Sequence, residues 1–228
     1  MIMSKIAAII FVRMGSKRLY GKTLKKIGNK TTLEIIIERI KSASKGIKII
    51  IATSNSYADN KIYLYCKKKK FLCFRGSLDD VFKRTIDCCK KYKLDYFVRV
   101  CGDRPFFNYT LLKQMLKFHR ITKNKYDILT NVFPSSYPKG LTCELISSKI
   151  FSENLRRKIN KKEKEHIINY FYRKNKDYKI KNFRSKVTWK PNIKLSLDNY
   201  SDFLKIDKIY NKFGYNYLLP VSKLKKYL

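Results

Sequence analysis

Acidic residues are scarce: 17 Asp and Glu stand against 53 Lys and Arg, a formal charge of +36. That much positive charge attracts polyanions non-specifically. The cations are spread along the whole chain, with no RRM, KH or zinc-finger pattern and no basic tail, so the charge alone does not specify nucleic-acid binding. Abundant Lys, Ile, Asn and Tyr accord with an AT-rich genome. No apolar run reaches the roughly 18 residues of a membrane span. The N-terminal "MIMSKIAAIIFV" lacks a small-residue cleavage site and reads as a buried first strand. The six cysteines (Cys66, Cys73, Cys88, Cys89, Cys101 and Cys143) include no CxxC and no zinc spacing, which points to reduced thiols in a cytoplasmic protein. The triplet Asn108-Tyr109-Thr110 fits a glycosylation acceptor and is read as coincidence in that setting. Gly (8) and Pro (5) are too few for any linker rich in them, so the 228 residues read as one domain with an elaborated second half.

What is present is alternation. Strand-length apolar runs at Ile6–Val12, Ile47–Ala52, 71–74 and 95–101 are separated by helix-like segments at Thr32–Ser44, Tyr57–Lys69, from Ser77 as N-cap to about Tyr92, and at Tyr109–Arg120. Short strands are expected at Asp127–Thr130, 140–147 and 194–197, and helices at 148–158, 162–174 and about Tyr200 to Phe213. Near-continuous apolar strands with helical crossovers predict an α/β fold, a Rossmann-like and mostly parallel sheet covered on both faces. Such sheets bind ligands outside the carboxyl ends of their strands. The loops at 13–22, 53–56, 75–80 and 102–105 fall there.

The first loop, "RMGSKRLYGK" (13–22), packs four cations and two glycines into ten residues. It nearly matches the P-loop, but five residues separate Gly15 from Gly21 where that nest needs four. Its glycines allow a sharp turn and close approach to a ligand. Arg13, Arg18 and Lys22 suit a triphosphate, with Ser16 and loop amides as further donors.

This spacing resembles the signature of the SpsF-like cytidylyltransferases, relatives of the CMP-KDO and CMP-sialic acid synthetases, with Tyr20 where the family usually has Pro. "ATSN" (52–55), "FRGSLDDVFKR" (74–84), "RVCGDRPFF" (99–107), "YPKGLTCEL" (137–145), "EKEHIINY" (163–170) and "LSLDNYSDF" (195–203) agree in order and spacing, so the likeness covers nearly the whole chain. It implies a nucleotide-diphospho-sugar transferase (GT-A-like) fold, a homodimer, and transfer of CMP from CTP to an acidic or phosphorylated acceptor with pyrophosphate release. It places the nucleotide-binding half at about 1–125 and the acceptor-binding and dimerisation half at about 126–228. Arg13, Lys22 and Asp103 are the implied catalytic residues. Gly15, Ser16, Arg18, Thr53, Arg75, Ser77 and Asp80 join Arg13 and Lys22 around the nucleotide. Arg104, Tyr137, Gly140, Glu144, Glu165 and His166 face the acceptor, and Asp103 and Asp198 hold Mg²⁺, a hard cation suited to carboxylates and phosphate oxygens. His119 is expected on the helix surface, Trp189 in the core. A glycosyltransferase on a related fold would favour a D-x-D metal motif, which the chain lacks. A basic nucleic-acid-binding protein would be indifferent to losing Asp103. A sugar hydroxyl acceptor needs a general base, whereas a phosphate oxygen needs only cations such as Arg99 and Arg104, so the residues lean towards an anionic acceptor.

Overall fold

The computed structural model describes residues 4–123, 125–154 and 159–225. After β1 (Ile6–Phe11), a hairpin of β2 (Lys26–Ile27) and β3 (Lys30–Thr31) leads into α1 (Thr32–Ala43). A regular alternation follows: β4 (Lys48–Ser54), α2 (Asn60–Lys68), β5 (Cys73–Gly76), α3 (Val81–Tyr92), β6 (Tyr96–Cys101) and α4 (Tyr109–Ile121). The second half holds β7 (Ile128–Thr130), β8 (Glu144–Ser147), α5 (Ser148–Glu153), α6 (Lys161–Glu165), α7 (Asn169–Arg173), β9 (Ile180–Asn182), α8 (Tyr200–Lys212) and α9 (Val221–Leu224).

Among the described residues, seven strands form one sheet in the order β5-β4-β1-β6-β8-β7-β9. β5, β4, β1 and β6 run parallel, and β8 alone is reversed between β6 and β7. Side chains alternate across a sheet covered on both faces, so adjacent residues serve different cores. Ala8, Ile10 and Val98 pack with α1 and α4, while Ala7, Ile9 and Phe97 pack with α3, α5 and α7. Each fully buried Ile or Leu contributes about 1.5–3 kcal/mol, against about 1 for a helix cap, so layer packing rather than local propensity holds the sheet.

A third apolar cluster lies beyond these two, where α8 and the 217–224 segment close over Ile27, Ile35 and Phe106. Phe106 stacks on Tyr210 at 4.4 Å. Arg39 of α1 is fully buried beneath this layer. Its guanidinium donates to the carbonyls of Phe107 (2.7 Å), Tyr217 (2.6 Å) and Leu219 (3.1 Å) and lies 5.1 Å from the Tyr109 ring.

Several local expectations are corrected. The N-cap of α3 is Asp80, which accepts from the Lys83 amide at 2.7 Å; Ser77 instead accepts from the Asp80 amide, so the helix begins at Val81. The segment expected as helix 57–69 starts as a 3-10 turn at Tyr57–Asp59 before α2. Helix 162–174 is broken where adjacent Ile167 and Ile168 both turn into the core, giving α6 and α7. The last residues of the expected helix 148–158, 155–158, lie outside the described residues. Residues 194–197 make only a single bridge, Lys139 with Lys194, and are no ladder strand; β9 was not foreseen. His119 is 3% exposed rather than on the surface, with its ring against Tyr96, and burial lowers its pKa. Asn108 of the Asn-Tyr-Thr triplet is 5% exposed and caps α4. Among the described residues no helix is long and apolar enough to cross a membrane.

Candidate active site

The carboxyl ends of β1, β4 and β6 meet at one edge of the sheet. The loop after β1 closes on the carbonyl of Met14, which accepts from the amides of Ser16 (2.8 Å) and Gly21 (3.0 Å). Gly21 sits at φ +64, and a Cβ there would meet Met14 Cε at 2.9 Å. The loop is also fixed from behind. The Met14 amide donates to Asp59 Oδ1 at 2.7 Å, and the other Asp59 oxygen accepts from the amide (3.1 Å) and hydroxyl of Ser54. Asp59 is 1% exposed and ties the first loop to the end of β4.

Lys22 follows that turn. Its Nζ donates to Asp103 Oδ2 at 2.7 Å and to Asp198 Oδ1 at 3.4 Å. Two carboxylates from distant parts of the chain therefore converge on one cation. Arg18 lies 3.9 Å from the same Asp198 oxygen, and Lys194 pairs with its second oxygen at 3.0 Å. Burial works to raise the Asp198 pKa, but Lys194 and Lys22 outweigh it and hold the carboxyl below its ordinary value. Asp103 is placed by the Leu197 amide, which donates to its carbonyl at 2.8 Å, and Arg104 Nε stands 4.0 Å from its side chain.

A cavity of about 190 Å³ opens beside this pair, on the sheet face covered by α3. Arg13, Lys22, Arg84, Arg99, Asp103, Glu165 and His166 line it, with Phe11, Cys101 and Leu78. Arg13 donates to Glu165 at 2.9 Å and both are half exposed. A neighbouring cavity of about 410 Å³ shares Arg13, Leu78 and Glu165 and includes Asp80 and Lys164, themselves 3.6 Å apart.

The structure thus gathers Arg13, Lys22, Asp103, Glu165 and His166 around one cavity; Asp198 is linked to it through Lys22, and Arg18 through Asp198. Other expected site residues are committed elsewhere. Arg75 donates to the carbonyls of Ser54 and Ser56, and Thr53 is fully buried with its hydroxyl unpartnered. Glu144 is 1% exposed; it accepts from Arg99 at 2.5 Å and from the Tyr172 hydroxyl at 2.6 Å, so it meets the cavity only through Arg99. Burial and then Glu144 push the Tyr172 hydroxyl pKa up. Tyr137 is half-buried between two cores, and Gly140 abuts the backbone of Leu195. Gly15 faces open space.

Asp59 and Arg84 had no assigned role in the sequence. Asp59 carries no spacing signal, since a lone Asp ahead of a helix reads as an ordinary cap. Arg84 does carry one: it closes the "FRGSLDDVFKR" segment that resembles the family pattern, and with Val81, Thr85 and Cys88 it falls on the stripe of α3 that packs inward.

Asp103 and Asp198 fit a divalent cation, because both already converge on a single positive charge. Among the described residues no group of three or more His, Cys, Asp and Glu is placed to hold a metal, so phosphate oxygens would complete the coordination.

The cytidylyltransferase family profile matches residues 7–219. Spore coat polysaccharide biosynthesis protein SpsF of Bacillus subtilis is 28% identical over 218 residues, covering 93% of this chain and 89% of that one. An uncharacterized protein of Methanocaldococcus jannaschii is 32% identical over 200 residues, covering 87% and 80%. The solved structure of a cytidylyltransferase from Leptospira borgpetersenii superposes with a TM-score of 0.89 at 25% identity, over 99% of this chain and 95% of that one. A CMP:2-keto-3-deoxy-manno-octonic acid synthetase complexed with CTP shares the fold, with a TM-score of 0.69 at 15% identity over 92% and 100% of the two chains. The sheet order, the charged loops at its carboxyl edge and these likenesses lead to one conclusion: the chain belongs to the cytidylyltransferase family and is a nucleotidyltransferase of GT-A-like fold.

Proposed function

We propose that this enzyme transfers CMP from CTP to an acidic or phosphorylated small acceptor with Mg²⁺, for cell-surface polysaccharide synthesis. An acceptor oxygen attacks the α-phosphorus, the bond from that phosphorus to the bridging oxygen breaks, and pyrophosphate leaves with the electron pair. The observation that carries this reading is Lys22 Nζ held between Asp103 and Asp198 at the mouth of a cation-lined cavity.

Lys22, Arg13 and Arg18 neutralise the β- and γ-phosphates, where charge builds as pyrophosphate departs. Lys22 exchanges its carboxylate partners for phosphate oxygens as the nucleotide enters. Asp103 and Asp198 would then hold Mg²⁺, which supplies charge neutralisation at the phosphate oxygens. The two carboxylates lining the cavity, Asp103 and Glu165, are each ion-paired with a cation. That commitment supports an acceptor oxygen that is already ionised and needs positioning rather than deprotonation. SpsF, as its name states, serves spore coat polysaccharide biosynthesis, which supports the proposed setting. The family resemblance supports a homodimer as the working form.

The test is pyrophosphate release from each of the four NTPs with Mg²⁺ against acidic sugars and phosphorylated metabolites. Release is expected with CTP and one acceptor class, falling about 30- to 1000-fold in Asp103→Ala, the equivalent of roughly 2–4 kcal/mol of transition-state stabilisation. Release unaffected by Asp103→Ala, or no binding of CTP, overturns the reading.

A further inference from the structure

The geometry points to Arg84 as the residue that anchors the anionic group of the acceptor, a role resting on the nucleotidyltransferase reading above. Arg84 lines the cavity yet is only 4% exposed. The other cations that line it each face a carboxylate: Arg13 faces Glu165, Lys22 faces Asp103 and Arg99 faces Glu144. Arg84 makes no such ion pair among the described residues. Its Nη1 donates to the Ser77 carbonyl at 2.8 Å, and its Nε is buried without a partner. Burial pulls down its pKa, Asp59 favours the charge, and the neighbouring Arg13 opposes it. Asp59 is itself already occupied by Met14 and Ser54. A buried cation with an unfilled donor beside a cavity is costly until an anion joins it.

The path of the side chain is built for this position. A Cβ on Gly76 would meet Arg84 Cγ at 2.8 Å, so the bare glycine makes room for the Arg84 stem under the end of β5. The phosphate loop borders this cavity only at its two ends. From that loop only Arg13, Lys22 and the following Thr23 line it, while Gly15, Ser16 and Arg18 do not. A group held by Arg84 therefore sits on the α3 face of the sheet, in the cavity whose loop side carries Arg13 and Lys22 for the triphosphate. A planar guanidinium suits a carboxylate or a phosphate, and both chemistries remain within the proposed acceptor class.

The experiment uses the full chain with α,β-methylene-CTP and Mg²⁺ held saturating, so that the triphosphate site is filled and no transfer occurs. Glycolate and inorganic phosphate are titrated separately by calorimetry, which distinguishes a carboxylate from a phosphate source. At least one of them is expected to bind the wild-type protein. Arg84→Gln should weaken that anion about tenfold or more while the CTP analogue shifts less than about threefold. Arg84→Lys, which keeps the charge but loses the fork, should weaken the same anion by less, and it carries the test if Arg84→Gln does not fold. The proposal is overturned if neither anion binds the wild-type protein, if the substitutions leave anion binding unchanged, or if they weaken the nucleotide as much as the anion. In the last case Arg84 belongs to the nucleotide or merely holds the 76–80 loop. Retained binding of the analogue separates any of these failures from a failure of the nucleotidyltransferase reading.

Discussion

Replacing Asp59 with Asn removes one charge and exchanges one oxygen for an NH₂ group without changing shape. In the native protein Oδ1 accepts from the Met14 amide at 2.7 Å, and Oδ2 accepts from the Ser54 amide at 3.1 Å and from the Ser54 hydroxyl. An amide has one acceptor oxygen, so either orientation turns an N–H donor towards a backbone N–H. The Ser54 hydroxyl can reverse and accept, but a backbone amide cannot. One buried N–H is therefore left without a partner, at a cost of about 1–3 kcal/mol, and the surviving bonds lose their charge assistance, about 1 kcal/mol more. The sum is about 2–4 kcal/mol. For a chain of this size each kcal/mol lowers Tm by roughly 2–4 °C, so a drop on the order of 5–15 °C is expected. Where the NH₂ faces Met14, the 13–22 loop is released from β4, and CTP should protect the variant from melting less than it protects the wild type. Calorimetric melts with and without CTP read both effects. A variant within about 0.5 kcal/mol of wild type, the range of ordinary surface substitutions, refutes the claim that Asp59 braces the loop.

Two further outcomes follow from features away from the cavity. Gly140 stands at φ +100, and a Cβ there would lie 2.4 Å from the Leu195 carbonyl carbon and 2.6 Å from the Ser196 amide, so Gly140→Ala should destabilise by about 2–4 kcal/mol in urea titration; an unchanged midpoint would mean that the two segments part easily. Burial works to raise the Glu34 pKa, but Lys69 at 2.8 Å and the Thr31 cap bring it down to about 2. Its folded pKa is depressed, so its stabilisation is complete above the ordinary value of 4.5 and is lost as pH falls towards about 2. Glu34→Gln should therefore cost about 1–2 kcal/mol near neutral pH, discounted for solvent screening, with the gap to wild type closing over that acid range. A gap that stays constant down to the acid limit would assign the cost to the cap geometry instead.

The parallel half of the sheet was legible because its strands are buried on both faces and read as unbroken apolar runs, as "IAAIIF" does at β1. The second half was less so. β9 is three residues long, with Lys181 outward, and has no periodicity to detect. "KLSL" has the right pattern for a strand but finds its partner in a single bridge, since Leu195 and Leu197 serve the α8 cluster instead of a ladder. At the site, the convergence of Arg13, Lys22 and Asp103 on one cavity was legible because the loops that carry them follow parallel strands, whose carboxyl ends share one sheet edge. Asp59 and Arg84 were not assigned, because their roles arise from contacts across the chain: Met14 is 45 residues from Asp59, and an Arg on an apolar helix stripe shows its meaning only once a cavity lies beside it.

The cage around Arg39 bears on how the chain folds as it is made. Two of its three carbonyl acceptors, Tyr217 and Leu219, come 178 and 180 residues later. Until the ribosome has released that stretch, α1 carries a guanidinium that has to stay in water, and the face of the helix around it stays open with it. The N-terminal strands and helices can collapse early, but the layer that closes over Arg39 is a late event. Final burial of the first helix therefore waits for the 217–219 segment, and the α1 layer matures together with that segment rather than ahead of it.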